Sequence, residues 1–329
     1  MQEYGWNLIP GSVNWLWLFN AWDSFHFGFI VAQGYQAPNY TFLPGYPLLI
    51  QFVRSVVGDA WLAAFLVTQI FAAASIIMFQ LTAEIYMSRR EALYSTLLMA
   101  TFPYILIFTT LGYSEAVFFL STIAAWYFYK KAKLTISTAL AGLASITRIY
   151  GIMILLPIFL SMRKEKKINP YYFITPIVLL DAWGVYCLIT VGNTLASLAN
   201  ESAWVQAGTN YGLLPSIIYQ GLQGVIMCCN GPVNNNFDPA VLIAVALLPF
   251  LILRIWNVDR SLFAYTTTLF VILIITAPVM SLLRFLSFIF PIWLTARVKN
   301  GWAAMMCMAL FIPLSLVLWF YALNVYFIG

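Results

Sequence analysis

The chain has 329 residues, 63% hydrophobic and 8% charged, where a soluble domain carries roughly 25% charged residues. That excess of apolar side chains excludes a water-soluble core and leaves a polytopic membrane protein with a helical backbone; no barrel-type strand alternation is visible. The net charge of +5 does not indicate nucleic acid, because the basic residues fall in short clusters between apolar runs, the pattern of cytoplasmic loops.

In chain order, no cleavable signal peptide is evident. The stretch Leu8 to Phe19 is apolar but short and broken by Pro10 and Gly11. The chain therefore reaches Trp22-Asp23-Ser24-Phe25-His26 without a full span before it. Asp23 and His26, the only histidine, stand at i and i+3 on one helical face. Asp23 reads either as an N-terminal cap or as a carboxylate that takes a proton from a substrate hydroxyl. His26 reads as a structural hydrogen-bonder or as a group that orients substrate. Next come Gly34-Tyr35 and Phe42-Leu43-Pro44-Gly45-Tyr46-Pro47, whose prolines predict no regular helix until after Pro47. The aromatics from Tyr40 to Tyr46 suit an interfacial belt or a rigid loop stacking on a sugar or lipid head. Leu48 to Val57 is predicted as an interfacial helix with Arg54 at headgroup depth.

Apolar helices are predicted over Trp61–Tyr86, Leu93–Thr110, Ala116–Tyr129, Ile136–Thr147, Ile149–Met162, Tyr171–Thr190, Pro239–Leu253, Leu262–Ala277, Phe285–Ala296 and Trp302–Tyr326. The fold class is all-α: a transmembrane bundle of about ten spans, several shorter than the ~20 residues that cross a bilayer squarely, with short re-entrant or interfacial helices. We read one integral membrane domain over 1–329: a first extracytoplasmic loop 1–59, helices 60–190, an extracytoplasmic loop 191–238 and C-terminal helices 239–329.

Basic clusters set the sidedness: Arg89-Arg90, Lys130-Lys131-Lys133, Arg163-Lys164-Lys166-Lys167, Arg254 with Arg260, and Arg297 with Lys299 are all placed in the cytosol. The opposite side then holds Met1 to Asp59, the turn Leu111–Glu115, the junction at Arg148, the loop Val191–Asp238, which has no Lys or Arg, and the turn before Arg284. Two sequons, Asn39-Tyr40-Thr41 and Asn200-Glu201-Ser202, fall on the same side. Asp23, His26, Glu115, Arg148 and Arg284 are thus expected at one extracytoplasmic rim. Charges at bilayer depth cost roughly 2.5–3.5 kcal/mol on insertion scales and are functional candidates by default.

Ser114 can cap the following helix and Glu115 can favour its N-terminus. Arg148 either pairs with Glu115 or grips a phosphate with its planar fork. Arg284 requires an anion opposite it, from a lipid headgroup or a substrate. Asp181, inside an apolar helix, is a second-tier candidate, hydrogen-bonded on the bland reading to Tyr or Trp neighbours. No Walker loop or dinucleotide fingerprint occurs, no Asp-x-Asp pair suggests a divalent metal, and Cys187, Cys228, Cys229 and Cys307 fit no metal motif. No metal and no cofactor are expected.

Trp22-Asp23-x-x-His26, Gly34-Tyr35 and Phe42-Leu43-Pro44-Gly45-Tyr46-Pro47 together resemble the first exported loop of the PIG-V family, the GPI mannosyltransferase 2 enzymes and their prokaryotic relatives. Ser114-Glu115, Thr147-Arg148 and Arg284-Phe285 are similar to that family's remaining signatures, although Ile149-Tyr150-Gly151 stands where the family tends to have Ser/Asn-Gly. The resemblance implies a GT-C type membrane glycosyltransferase that takes mannose from a polyprenyl (dolichyl) phosphate donor. It further implies catalysis on the exported face, with Asp23 as the catalytic carboxylate; the lack of a cleavable signal fits the plasma membrane or endoplasmic reticulum. On this reading Asp23, His26 and Glu115 are catalytic, and Trp22, Tyr46, Arg148 and Arg284 bind substrate. The expected partners are the lipid-linked donor, a lipid- or glycan-linked acceptor and membrane lipids, and no nucleic acid. Two other readings stand beside it: a transporter or flippase of lipid-linked saccharides, and a scaffold subunit of a glycosyltransferase complex.

Overall fold

The computed structural model describes Phe19 and residues 23–200, 240–277 and 279–323; Trp22 and most of the predicted 191–238 loop lie outside them. Every regular element described is helical. In order these are α1 Asp23–Gln33, α2 Gly45–Val57, α3 Ala60–Ala83, α4 Arg89–Thr101, α5 Pro103–Thr110, α6 Glu115–Lys130, α7 Leu134–Thr147, α8 Leu155–Lys164, α9 Tyr171–Val191, α10 Ala240–Ile255, α11 Arg260–Thr276, α12 Val279–Ser287 and α13 Gly301–Leu323. Short 3-10 turns cover Asn39–Thr41, Ile149–Ile154 and Phe290–Thr295.

Three helices, Ala60–Ala83, Tyr171–Val191 and Gly301–Trp319, are long and apolar enough to cross a membrane, and a fourth span arises if the bent pair α4–α5 counts as one. The expectation of about ten spans therefore exceeds what length and composition support among the described residues. The shorter apolar helices Leu134–Thr147, Val245–Ile255 and Arg260–Thr276 fall below span length.

Local chemistry sets the boundaries. Ser88 and Glu91 form a reciprocal capping box at the start of α4, supplying acceptors for backbone N–H groups that have no intrahelical partner. Asp59 caps α3 through Leu62 N at 2.7 Å, and Asp259 caps α11. The predicted helix Leu93–Thr110 is two helices bent by 65°, because Pro103 lacks an N–H and opens a new helix at its first position. The predicted helix Phe285–Ala296 is likewise corrected: α12 ends at Ser287, and the chain re-enters as a 3-10 turn with Pro291 near its start. Ile149–Met162 divides into a 3-10 turn and α8. In contrast, α2 begins at Gly45, ahead of Pro47. A proline in the first turn of a helix sacrifices only an N–H that would be unpaired there anyway.

Two close approaches position the functional region. A Cβ on Gly45 would lie 2.9 Å from the Ile146 carbonyl, and one on Gly151 would lie 2.0 Å from the Ala144 carbonyl oxygen. The start of α2 and the 3-10 turn after Arg148 can therefore press against the C-terminal end of α7. The main core runs through Phe108, Tyr113, Phe119, Trp126, Leu273 and Phe288, between α5, α6, α11 and α12. At the far end of α6, Lys130 pairs with Asp259 at 3.1 Å. Sixteen residues, about 24 Å of helix, separate that basic end from Glu115.

Candidate active site

Four of the scarce charges meet at one end of the bundle. Asp23 opens α1, Glu115 opens α6, Arg148 caps the C-terminus of α7 and Arg284 sits in the last turn of α12. Both carboxylates thus occupy helix N-termini, where the macrodipole favours negative charge, and Arg284 a C-terminus, where it favours positive charge.

Glu115 is the hub. Its Oε1 accepts from Arg148 Nη2 at 2.6 Å, and Arg284 Nε lies 2.9 Å from the same oxygen. The latter is an ion-pair contact whose N–H is not aligned for a hydrogen bond. Arg284 Nη2 donates to Asp23 Oδ2 at 3.1 Å. The expected gathering at one rim is therefore direct contact for these four, well inside the reach of a single ligand headgroup. Arg284 is not in an open turn, as its sequence position suggested: its side chain is 5% exposed, against 1% for Glu115, 16% for Arg148 and 25% for Asp23. The anions opposite it are Asp23 and Glu115. Two carboxylates and two guanidinium groups balance, which is what permits ions this deep.

Aromatic faces complete the enclosure. The Arg284 guanidinium lies 4.7 Å from the Phe285 ring, 5.0 Å from Phe108 and 5.3 Å from Tyr113, and Arg148 lies 4.8 Å from Phe285, each a cation–π distance. Ser114 does not cap α6; its Oγ instead accepts from Arg148 Nε at 3.3 Å. Three buried polar atoms of the cluster have no hydrogen-bond partner among the described residues: Glu115 Oε2, an acceptor, and the donors Arg284 Nε and Nη1, of which Nε has only its ion-pair contact with Glu115. Beside Glu115 lies a small pocket of about 20 Å³, lined by Glu115, Arg148 and Tyr150 and otherwise by apolar side chains including Phe118, Leu269, Leu273 and Phe288.

His26 lies on the same face of α1 as Asp23, half-buried, with its ring stacked on Phe42 at 5.4 Å. Burial lowers its pKa from the usual value near 6.5, while Asp23 and the Asn39 side chain act in the opposite sense. Tyr46 is not on an open face. It is fully buried, and its hydroxyl donates to the Ala64 carbonyl and bonds Thr68 Oγ1 at 2.7 Å. Its side chain thus packs between α2 and α3 rather than presenting its hydroxyl to an open face. Tyr40 is buried against Trp183, so the first-loop aromatics Tyr40 and Tyr46 face inward rather than forming a stacking platform. Asn39 is buried as well, which closes the first sequon. Among the described residues Asp181 has no bond to a Tyr or Trp: Trp183 Nε1 donates to Ser197.

One participant went unassigned in the sequence. Tyr113, fully buried, accepts from the backbone N–H of Asp23 at 3.2 Å while its ring faces Arg284. The run Gly112-Tyr113-Ser114-Glu115 was visible, but the inward direction of Tyr113 depends on the turn that follows α5.

Residues 12–169 match the family model described as mannosyltransferase (PIG-V). The matched segment contains Asp23, His26, Glu115 and Arg148, whereas Arg284 lies beyond it. No curated protein matches the chain.

Proposed function

Over residues 12–169 the chain belongs to the mannosyltransferase (PIG-V) family, and from that premise we propose that it is a membrane mannosyltransferase of inverting mechanism. Its donor is a polyprenyl phosphate mannose, its acceptor a lipid- or glycan-linked hydroxyl, and its reacting face extracytoplasmic. The observation that carries this reading is the 3.1 Å contact between Asp23 and Arg284, tied through Glu115 to Arg148, with Glu115 and Arg148 lining a small apolar pocket. A proton acceptor and a phosphate-type cation then share one substrate.

Asp23, the most exposed of the four charges, takes the proton of the acceptor hydroxyl. The acceptor oxygen attacks the anomeric carbon from the side opposite the phosphate. The bond from that carbon to the phosphate oxygen breaks, and the electron pair leaves with the lipid phosphate. Arg148, which lines the pocket, and the unpartnered Nη1 of Arg284 stabilise the charge that develops there, the kind of preorganised electrostatic effect that dominates many catalysed reactions. Glu115 holds both arginines in place and offers Oε2 to a sugar hydroxyl, and His26 orients the substrate beside Asp23. The helices below span length serve as the remaining membrane-embedded elements of the GT-C arrangement.

The opposite placement of the Lys130–Asp259 pair along α6 supports the sidedness, since basic ends stay cytosolic. Transfer is favoured over transport by the family match. The test is Asp23→Asn in purified chain supplied with labelled polyprenyl phosphate mannose and membrane acceptor lipids. Transfer is expected to fall by at least about a hundredfold with an unchanged melting profile, and wild-type rates from the variant would remove Asp23 from the chemistry.

A further inference from the structure

The third face of α9 is unaccounted for by the active site. One face of this 21-residue helix packs on α7, where Gly142 meets Thr175 and Leu179. A second sends Trp183 and Cys187 into the cluster with Tyr40 and Leu43. The remaining face presents Ile177, Val178, Asp181, Val185 and Leu188, all exposed. Asp181 is the eleventh residue of the helix, ten residues or about 15 Å from either end. Its short side chain has no stem with which to reach the interface, as Lys and Arg do. Among the described residues it has no ion pair and no hydrogen bond.

The rest of the chain cannot neutralise it with a cation. Residues 1–22, 201–239 and 324–329 contain no Lys, Arg or His, so every basic side chain is among the described residues, and none meets Asp181. A carboxylate at the centre of an apolar, exposed stripe of a span is costly in lipid and normally faces a partner. We propose that this face docks a membrane-spanning helix of another protein that carries a Lys or Arg at mid-bilayer depth, with Asp181 as the charge-pairing contact and Ile177, Val178, Val185 and Leu188 as the packing surface.

The inference rests on α9 as a span and not on the transferase reading. The test reconstitutes the full chain in phosphatidylcholine nanodiscs and titrates dansyl-labelled single-span Leu/Ala peptides, reading energy transfer from the chain's tryptophans. Three peptides are compared: one with a central Lys, one with Leu in its place, and one with a central Glu. The central-Lys peptide is expected to bind wild type about tenfold more tightly than the Leu peptide, at the upper end of interhelical polar contacts in membranes. Asp181→Leu, isosteric with its exposed neighbours, is expected to lose that preference. Asp181→Lys is expected to transfer it to the central-Glu peptide, which guards against a variant that merely misfolds. Equal binding of Lys and Leu peptides to wild type would overturn the proposal and leave a lipid-facing carboxylate. Persistence of the Lys preference in Asp181→Leu would overturn it by placing the contact elsewhere. Self-association of wild type that Asp181→Leu abolishes, without a Lys preference, would overturn it in favour of a second copy of the chain.

Discussion

Replacing Glu115 by Gln removes one charge from the cluster while keeping its volume. Two guanidinium groups then face one carboxylate in a site where Arg284 is 5% and Glu115 1% exposed. Breaking a buried ion pair from one side typically costs about 3–5 kcal/mol, because it strands a desolvated charge. Arg284 keeps Asp23 at 3.1 Å and Arg148 keeps Ser114, which places the expected loss near the low end, about 3 kcal/mol. At roughly 2–4 °C per kcal/mol for a chain of this order of size, the melting temperature should drop by about 6–12 °C. The assay is thermal unfolding of purified chain in detergent, read by a thiol-reactive dye on Cys187, which is buried in the fold. Adding Arg148→Met restores a one-to-one balance between Asp23 and Arg284. The double variant should therefore be more stable than the sum of its parts by about 1–3 kcal/mol. A Glu115→Gln variant that melts within about 1 °C of wild type, or strict additivity in the cycle, would refute the view that this carboxylate holds the two arginines.

Tyr113→Phe removes the oxygen that accepts the Asp23 N–H but keeps the ring against Arg284. Turnover should fall by about ten- to a hundredfold through misplacement of the carboxylate with KM for the donor nearly unchanged, and a change confined to KM would contradict a positioning role. Burial lowers the pKa of His26, so the unfolded chain binds the proton more readily than the folded one. The stability this contributes is complete above the unfolded value of about 6.5 and is lost as pH falls from there through the lowered folded value. Melting temperatures measured from neutral pH downward should fall more steeply for wild type than for His26→Gln, and parallel curves would remove the assignment.

Much of the helical framework was legible because apolar runs act within a few residues. The long runs of α3, α9 and α13 carry their own length, whereas the local caps Asp59, Ser88 and Asp259, absent from the reading of the sequence, place the starts of α3, α4 and α11 ahead of the apolar runs. Misread boundaries share one cause. Pro103 and Pro291 interrupt runs whose hydrophobicity continues unbroken, so composition merged what the missing N–H separates, while Pro47 was read as a barrier although it occupies the tolerant first turn of α2. The scarcity of charge likewise marks out Asp23, Glu115, Arg148 and Arg284 in the sequence, since each is expensive in an apolar chain and needs a reason.

Pairing and direction were decided only by the tertiary structure. Asp23 and Arg284 are 261 positions apart, and no periodicity links α1 to α12; packing around Phe108, Tyr113 and Phe285 brings them together. Tyr46 and Tyr40 point inward, and Asp181 outward, because helix phase is set by the neighbours each face meets. Residue type and local spacing establish which groups cost energy when buried, but the partner that offsets the cost is a property of the assembled bundle, where the free energy of each ion depends on every charge and dipole around it.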